Sequence, residues 1–349
     1  MDVERWTLDV FPIKAPAVLQ PRRFRAALLS WYRNNGRDLP WRHTRDPYAI
    51  LVSELMLQQT QVATVIPYYQ RWLGRFPDVE SLARAPESDI LHAWQGLGYY
   101  ARARNLHTTA KIIVEKHGGL FPRSPDVLQT LPGIGRYTAS AIVTFAFDSS
   151  VPIVETNTAR LFARLLNLQA RIDSGPGRER LWEFASSLLP RRNAGRHNSA
   201  LMDLGAVVCI AGEPKCPTCP VRHYCQAEAP AALPRKAARA SLKLLTEHHY
   251  FAPEAETVLL EQAHHRWRGM WILPRLPATP PAPRVLYSSE FPFTHHRITL
   301  RVCEVPSASA PSTPMQRAFT LAELPSIPMP SPHRRALTAL LAQRPAAPN

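Results

Sequence analysis

The cysteine pattern is the feature of this sequence that most restricts its fold. Four of the five cysteines fall within seventeen residues, with the spacing C-x6-C-x2-C-x5-C, at Cys209, Cys216, Cys219 and Cys225. Nothing in the chain indicates an oxidising compartment, so we do not expect a disulfide framework. Thiolates this close together have few roles other than binding a metal. The single CxxC favours a [4Fe–4S] cluster over a zinc site or four free cysteines, and these alternatives stay open on spacing alone.

Charge and composition narrow the class of partner. The chain has 349 residues, enough for about two domains, and its 42 basic against 27 acidic residues give a net charge of +15. This excess favours a polyanion such as nucleic acid. No apolar run is long enough to cross a membrane. Residues 1–20 contain three acidic side chains and no continuous apolar core, so we expect no secretory signal and a cytoplasmic location. We also expect a monomer that associates with the nucleoid.

The organisation of the chain changes after the cysteines. Apolar residues recur every three or four positions from Phe24 to about Val208, which predicts a compact helical domain over residues 20–228. An Ala-, Pro- and Arg-rich stretch predicts a linker over 229–246. A small α+β domain over 247–345 follows, with Cys303 as an ordinary buried side chain. Its expected elements are strands at 256–263, 270–274, 285–291 and 298–305, Pro-rich loops at 277–283 and 306–314, and a closing helix at 331–342.

A glycine turn joins two of the predicted helices. The segment Leu131-Pro132-Gly133-Ile134-Gly135 places two glycines two positions apart, immediately before a helix that we expect to begin near Gly135. The free N–H groups at that helix start would form an anion site suited to a DNA phosphate. An ordinary turn between two helices is the alternative, and the turn alone does not distinguish the two.

Several longer motifs carry a resemblance. Residues 52–62 (V-S-E-L-M-L-Q-Q-T-Q-V), 96–102 (G-L-G-Y-Y-A-R) and 39–42 (L-P-W-R) closely resemble MutY-type adenine DNA glycosylases. The glycine turn and the cysteine spacing resemble the wider endonuclease III superfamily. The resemblance covers about Phe24 to Cys225. It implies a mainly α, helix-hairpin-helix DNA glycosylase fold with a [4Fe–4S] cluster loop. It further implies a cleft that flips one nucleotide out of double-stranded DNA containing adenine opposite 8-oxoguanine or guanine.

The resemblance also assigns catalytic roles. Glu54 matches the family's general acid, which protonates the departing adenine, although a single helix glutamate is more often solvated. Glu155 stands where the family has an aspartate that stabilises the cationic sugar, and Asn157 matches. Tyr137 stands where bifunctional relatives have a lysine that attacks the sugar. The expected enzyme is therefore monofunctional and leaves an abasic site, even if Tyr137 only packs.

Other residues match the family's contacts with DNA. The resemblance implies a wedge against the opposite base, supported by Tyr99 at the kink, and made of Leu57, Gln58, Gln59 and Thr60. It places Trp41 and Arg42 in the adenine pocket, and Gly133 and Gly135 at the backbone. Ser199 departs from the Gln or Glu that the family has after Asn198.

The C-terminal domain resembles the Nudix-like domain by which this family recognises 8-oxoguanine. Phe293, Thr294 and His295 resemble its Phe-Ser-His loop, with a threonine hydroxyl in place of the serine. The chain has no Nudix hydrolase box, so we expect this domain to bind the lesion without hydrolysing it. The alternative is a hydrophobic strand with incidental histidines.

Two other functions compete with adenine excision. A related mismatch or damaged-base glycosylase is disfavoured by the full S-E-L-M-L-Q-Q-T run and by the appended domain. A non-catalytic, cluster-bearing protein that binds lesions is favoured only by Glu155 and Ser199.

Overall fold

The computed structural model describes residues 20–238, 241–254, 256–276, 284–305 and 313–343. The predicted loops at 277–283 and, for the most part, 306–314 lie outside them, as do residues 1–19 and the last two residues of the predicted C-terminal domain. The helices are α1 Pro21–Asn35, α2 Pro47–Leu57, α3 Val62–Arg75, α4 Val79–Arg84, α5 Glu87–Ala93, α6 Ala101–His117, α7 Pro125–Gln129, α8 Arg136–Phe147, α9 Thr156–Leu165, α10 Gly175–Leu188, α11 Ala194–Val207 and α12 Ser331–Ala342. The strands are β1 Lys243–Tyr250, β2 Thr257–Gln262, β3 Trp271–Ile272, β4 Val285–Phe293, β5 His296–Cys303 and β6 Gln316–Thr320.

The chain divides into two compact units. The first unit consists of residues 1–50, 123–130 and 134–237, and the second of residues 51–122, 131–133 and 238–349. The boundary at residue 50 falls within α2. Each unit is therefore assembled from segments that are distant in the sequence.

The core of the first unit forms where α1, α9, α10 and α11 pack together. Phe24 and Leu28 on one face of α1 are fully buried against apolar residues of the other three helices. The ring of Tyr224, in the cysteine loop, meets the ring of Phe24 edge-on at 5.6 Å. Cys219 and Cys225 also pack against this core. The loop that carries the cysteines is thus part of the helical core of its unit.

The second unit contains α3–α6, the six strands and α12. Local capping defines its helix ends: the Asp78 carboxylate accepts a hydrogen bond from the Ser81 N–H at 2.7 Å at the start of α4, and Gly118 ends α6 with a φ of 60°. The ring of Trp72 in α3 packs edge-on against Trp94 and Phe76 at 5.3 and 5.0 Å. These aromatic contacts form an apolar centre among the helices of this unit.

The strands of the second unit form two three-stranded sheets. One sheet has the order β1-β5-β4, in which β1 pairs with β5 in parallel and β4 with β5 antiparallel. The other has the order β3-β2-β6 and is antiparallel. α12 packs against β4. Two fully buried imidazoles connect this region: the Leu273 carbonyl binds His249 Nδ1 at 2.6 Å, and the Leu273 N–H donates to His333 Nδ1 at 3.2 Å.

The mainly helical fold with a small sheet region at the C-terminal end is confirmed. The four predicted strands are present as β2 to β5 with different bounds. β2 is one residue shorter at each end, β3 is reduced to two residues, β4 ends two residues later, and β5 begins and ends two residues earlier. The closing helix has the predicted bounds. The predicted linker 229–246 contains structure at both ends. Arg235 accepts a hydrogen bond from the Ile172 N–H at 3.0 Å, and β1 already begins at Lys243. The domain boundaries stay a prediction. None of the described helices is long and apolar enough to cross a bilayer.

Candidate active site and cysteine loop

Glu155 is the N-cap of α9, and its carboxylate binds the helix that it precedes. One oxygen, Oε2, accepts from the Asn157 N–H at 2.7 Å and from the Asn157 side-chain amide at 3.1 Å. The other, Oε1, accepts from the Thr158 N–H at 2.8 Å. Burial raises the pKa of the Glu155 carboxyl, although these N–H groups and the charges of Arg160 and Arg37 lower it. The structure thus brings the predicted pair Glu155 and Asn157 together.

Arg42 is held by a buried aspartate that the sequence did not single out. The Asp203 side chain on α11 is fully buried, and its two oxygens each accept a hydrogen bond from the Arg42 guanidinium at 2.7 Å. Arg37 donates to the same carboxylate through Nε at 2.7 Å and through its backbone N–H at 2.8 Å. Burial opposes ionisation, but the hydrogen bonds and charges of the two arginines hold the pKa of Asp203 below its usual value. Trp41, beside Arg42, is buried.

α11 also carries the departure at Ser199. Ser199 is buried one helical turn before Asp203, so the two side chains lie on the same face of α11. The neighbouring Asn198 amide donates to the Val151 carbonyl at 3.1 Å, which anchors α11 to the segment that leads to Glu155.

A buried arginine connects Asn157 to the start of the cysteine loop. Nη2 of Arg160 donates to the Asn157 side-chain oxygen at 2.9 Å and to the Gly205 carbonyl at 2.6 Å, while Nε donates to the Cys209 carbonyl at 2.8 Å. α9 and α11 approach closely here, because a Cβ at Gly205 would lie 2.8 Å from the Asn157 carbonyl oxygen. The position of Asn157 therefore depends on a glycine of the neighbouring helix.

One turn further along α9, Arg164 organises the cysteine loop itself. Its side chain is 1% exposed, and its guanidinium donates to the Cys209 sulfur at 3.3 Å. It also donates to carbonyl oxygens on both sides of the loop, those of Ile210, Gly212, Pro230 and Leu233, at 2.7 to 3.2 Å. A single buried cation thus fixes the loop that runs from Cys209 through Cys225.

The four cysteines of this loop have the donor chemistry of an iron–sulfur site. Burial is the main reason that the pKa of the Cys219 thiol is raised to about 11, and the charges of Cys209, Cys225 and Cys216 also raise it. In the described part of the chain, no three Cys, His, Asp or Glu side chains converge as a set that could hold a metal ion.

The glycine turn has the conformation that its sequence predicts. Gly133 has a φ of 75°, and a Cβ at this position would lie 2.8 Å from the Asn105 side chain. α8 begins at Arg136 with Gly135 as its N-cap. Tyr137, the second residue of α8, is half-buried. The phosphate contact at this turn stays a prediction.

Glu54 lies in α2 and is only 3% exposed. Its neighbours Ser53, Leu55 and Met56 are at most 1% exposed. The alternative of a solvated surface glutamate is therefore wrong. Glu54 belongs to the second unit, whereas Glu155 and Tyr137 belong to the first.

A cavity of about 230 Å³ in the second unit collects several predicted DNA contacts. Gln58, Gln59 and Tyr99 line it together with Phe293 of the strand region. Gln59 and Tyr99 have φ angles of 57° and 48°, a conformation that side-chain-bearing residues rarely adopt and that tends to occur at functional sites. Tyr99 is 42% exposed. Leu57 ends α2 beside this turn, and the Thr60 hydroxyl is bound by Arg102.

The predicted Phe-Thr-His loop is the turn between β4 and β5. Phe293 lines the cavity, and the Arg266 guanidinium lies 4.8 Å from its ring centroid. Thr294 has a φ of 54°, and its hydroxyl donates to the Phe293 carbonyl at 2.7 Å. Thr294 and His295 are exposed and do not line the cavity. Their contact with a damaged base stays a prediction.

Comparisons with known proteins identify the family. Residues 52–187 match the family model described as HhH-GPD superfamily base excision DNA repair protein. An adenine DNA glycosylase of Mycobacterium tuberculosis is 43% identical over 210 residues, which is 59% of this chain and 68% of that protein.

The chain belongs to the adenine DNA glycosylase family.

Other relatives agree with this assignment. A mouse adenine DNA glycosylase is 45% identical over 213 residues, which is 58% of this chain and 41% of that protein. The chain therefore spans less than half the length of this relative. A solved structure of a thermostable thymine-DNA glycosylase is 30% identical with a TM-score of 0.55, covering 59% of this chain and 95% of that one. The predicted helix-hairpin-helix fold is confirmed, whereas the Nudix-like character of the strand region stays a prediction.

In this member of the adenine DNA glycosylase family, the sequence did not indicate the buried charged residues that hold the candidate site residues in place. Asp203, Arg160 and Arg164 are buried charges within apolar helical segments, and Arg102 is a buried cation beside a recognised motif. The available signal was a charged residue on the apolar face of a helix, because such a residue needs a buried partner. Arg266 and Trp267, which also line the cavity, carried no such signal.

Proposed function

We propose that this protein is a monofunctional adenine DNA glycosylase. It would hydrolyse the N-glycosidic bond of adenine opposite 8-oxoguanine or guanine in duplex DNA and leave an abasic site. The observation that carries the proposal is the burial of Glu54 in α2, within the S-E-L-M-L-Q-Q-T motif of a chain 43% identical over 210 residues to an adenine DNA glycosylase. Burial places this carboxyl where bulk water is excluded, which is the environment that an acid catalyst requires.

The reaction follows from the two carboxyl groups. Glu54 would give its proton to the flipped adenine as the bond between the base nitrogen and the sugar carbon breaks. The bonding electrons leave with the base, and the sugar becomes an oxocarbenium-like cation. The carboxylate of Glu155 would stabilise this cation. Water then adds to the sugar carbon, and the Glu54 carboxylate accepts its proton, which restores the acid.

Tyr137 supports a hydrolytic rather than a lyase reaction. A strand-cleaving glycosylase needs an amine that attacks the sugar and forms a Schiff base. A phenol cannot form an imine. We therefore expect the abasic product to leave with its phosphodiester bonds intact.

The cavity of the second unit supports recognition of the base opposite adenine. It combines the Gln58 and Gln59 side chains with the exposed Tyr99 ring, so it offers hydrogen-bonding groups beside a stacking surface. Phe293 adds a contact from the strand region. The net charge of +15 supports duplex DNA as the partner.

We propose that Cys209, Cys216, Cys219 and Cys225 hold a [4Fe–4S] cluster. Their spacing and the buried loop that Arg164 holds together support this ligand set. When bound, the cluster would supply a rigid covalent crosslink and a one-electron redox centre. Iron and acid-labile sulfide analysis of anaerobically purified protein tests this assignment, and stoichiometric zinc would contradict it.

The proposed activity is tested by single-turnover release of adenine from a duplex with one A opposite 8-oxoguanine, with alkali added only after the reaction. We expect strand breaks only in the alkali-treated samples, and no release by Glu54→Gln. Breaks without alkali would contradict a monofunctional enzyme. Tight lesion binding without release by the unaltered protein would favour the non-catalytic lesion-binding alternative.

A further inference from the structure

Two separate loops of the second unit meet at the cavity. One is the turn from Gln58 to Thr60 that follows α2, and the other is the loop from Gly96 to Tyr99 that precedes α6. Each loop contributes one non-glycine residue in the left-handed conformation, Gln59 and Tyr99. Such a conformation costs on the order of 1–3 kcal/mol and persists only where surrounding contacts enforce it. The neighbouring contacts that enforce it are therefore part of the site.

Arg102 binds both loops at once. Its Nη1 donates to the end of α2 and the turn beyond it, at the carbonyl oxygens of Leu55 (2.8 Å), Met56 (2.9 Å) and Gln58 (2.5 Å). Its Nη2 donates to the other loop, at the carbonyl oxygens of Leu97 (2.9 Å) and Gly98 (3.1 Å). Both nitrogens also lie 3.3 Å from the Thr60 hydroxyl. One guanidinium thus ties together two segments that are about forty residues apart.

The environment of Arg102 favours a fixed guanidinium. The residue is 7% exposed, and its guanidinium lies 5.4 and 5.5 Å from the ring centroids of Trp94 and Tyr99. Burial lowers the pKa of Arg102 to about 10, so the group remains charged at neutral pH. The last carbonyl groups of a helix have no N–H donor within the helix, and at the end of α2 the Arg102 guanidinium donates to them instead. A lysine could not reproduce this, because its ammonium donates from a single point rather than along two planar edges.

We propose that Arg102 is the positioning residue that sets the separation of Gln59 and Tyr99, and thereby the discrimination between opposite bases. This inference rests on the proposed function, since it concerns the base opposite the excised adenine. Arg102 acts through the two loops: it holds the turn that carries the Gln59 amide and the loop that carries the exposed Tyr99 ring, and both side chains line the cavity. Loss of the guanidinium lets the two loops relax independently, and a shift of ~1 Å in such a site can cost on the order of 10²-fold in rate.

The test compares Arg102→Gln and Arg102→Lys with Arg75→Gln. Arg75 belongs to the same unit and forms an exposed ion pair with Asp89 at 2.9 Å, so its replacement removes one positive charge without touching either loop. The measurement is the dissociation constant for two duplexes, in which a non-hydrolysable adenosine analogue faces either 8-oxoguanine or thymine. The dissociation constant for the thymine duplex divided by that for the 8-oxoguanine duplex reports discrimination, and thermal denaturation reports folding.

We expect Arg102→Gln and Arg102→Lys to lower this ratio by about 10- to 100-fold, with affinity for the thymine duplex nearly unchanged, and Arg75→Gln to keep the ratio. A ratio that survives in the folded lysine variant, or a parallel loss of affinity for both duplexes, would overturn the proposal. If Arg102→Gln does not fold, the lysine variant decides. Discrimination absent from the unaltered protein would overturn it too. If the unaltered protein does not release adenine from a cleavable duplex, that separate result contradicts the proposed glycosylase activity and not the role of Arg102 in binding.

Discussion

Glu155 serves two purposes through one carboxylate. It caps α9 through the N–H groups of Asn157 and Thr158, and in the proposed reaction it carries the negative charge that stabilises the sugar cation. Aspartate, the usual family residue, is also a strong N-cap. The longer glutamate still caps the helix by accepting bonds from the second and third residues after it. The substitution therefore keeps a carboxylate in place at the helix start.

The pH dependence of adenine release should report the ionisation of Glu155. The reaction needs Glu155 charged, so the rate rises as pH rises through its pKa, which burial places above the ordinary value of about 4.3. Single-turnover rates between about pH 4 and 9 should therefore rise along an acid limb set by Glu155.

Glu155→Gln should remove the acid limb and slow the reaction by about 10²- to 10³-fold, whereas Glu155→Asp should retain both the limb and most of the rate. An unchanged acid limb in Glu155→Gln would contradict the assigned role.

Asp203 should contribute more to stability than an exposed aspartate. Asp203→Asn leaves Arg37 and Arg42 without their buried counter-charge, and breaking a buried ion pair typically costs about 3–5 kcal/mol. The matched change Asp89→Asn breaks an exposed pair and should cost less than about 1 kcal/mol. Urea denaturation of the three proteins measures the free energy of unfolding. Equal effects of the two substitutions would contradict the role given to Asp203.

At the scale of single residues, the sequence indicated the candidate site residues but not the residues that hold them in place. The candidates Glu54, Glu155 and the glutamine turn came from motifs that stand contiguous in the chain. Asp203 and Arg42 are 161 residues apart, and Arg102 binds carbonyl groups, which carry no sequence signature. Partners that are separated in sequence, or that belong to the backbone, emerge only when the chain folds.

The contact between α9 and α11 determines where Asn157 lies. Gly205→Ala would place a methyl group 2.8 Å from the Asn157 carbonyl oxygen, so one helix must shift. Overpacking of this kind typically costs about 1–3 kcal/mol. We also expect slower adenine release, because Asn157 and Glu155 move together.

Gly74→Ala is the control for the Gly205 substitution. Gly74 lies within α3, and a Cβ there meets nothing within 4 Å. This substitution should stabilise the protein by up to about 1 kcal/mol, since alanine is the better helix former. Chemical denaturation of both variants, with adenine release measured in parallel, tests the contact. A Gly205→Ala variant with unaltered stability and rate would contradict it.

At the scale of elements, local patterns predicted most of the structure. Periodicity gave the helical run, the glycine turn gave the start of α8, and the bounds of α12 were also predicted. The strand pattern was less complete. It missed β1, whose first four residues are exposed and show no alternation of burial. β1 is stabilised by parallel pairing with β5, roughly fifty residues later in the chain, a contact that local pattern does not reveal. β6 is short and follows a Pro-rich segment, so its pattern was equally weak.

The charge of the whole molecule predicts salt-sensitive DNA binding. With a net charge of +15, contacts with DNA phosphates should release many counterions. For a protein making about 6–10 such contacts, affinity falls by roughly 10³- to 10⁵-fold between about 50 and 200 mM salt. Fluorescence anisotropy with an undamaged duplex measures this slope. A slope near zero would contradict a phosphate-based interface. The monomeric state and the cytoplasmic location stay predictions.

The packing of α1 and of Arg42 against α11 has a consequence for synthesis of the chain. Arg42 is synthesised before its partner Asp203 on α11, which a ribosome reaches about 10–30 s later at ~5–20 residues per second. During that interval Phe24 and Leu28 lack α11, one of the three helices that bury them. The nascent α1 is therefore a natural binding target for chaperones. Substitutions that expose it further should reduce the yield of folded protein before they alter the properties of the folded chain.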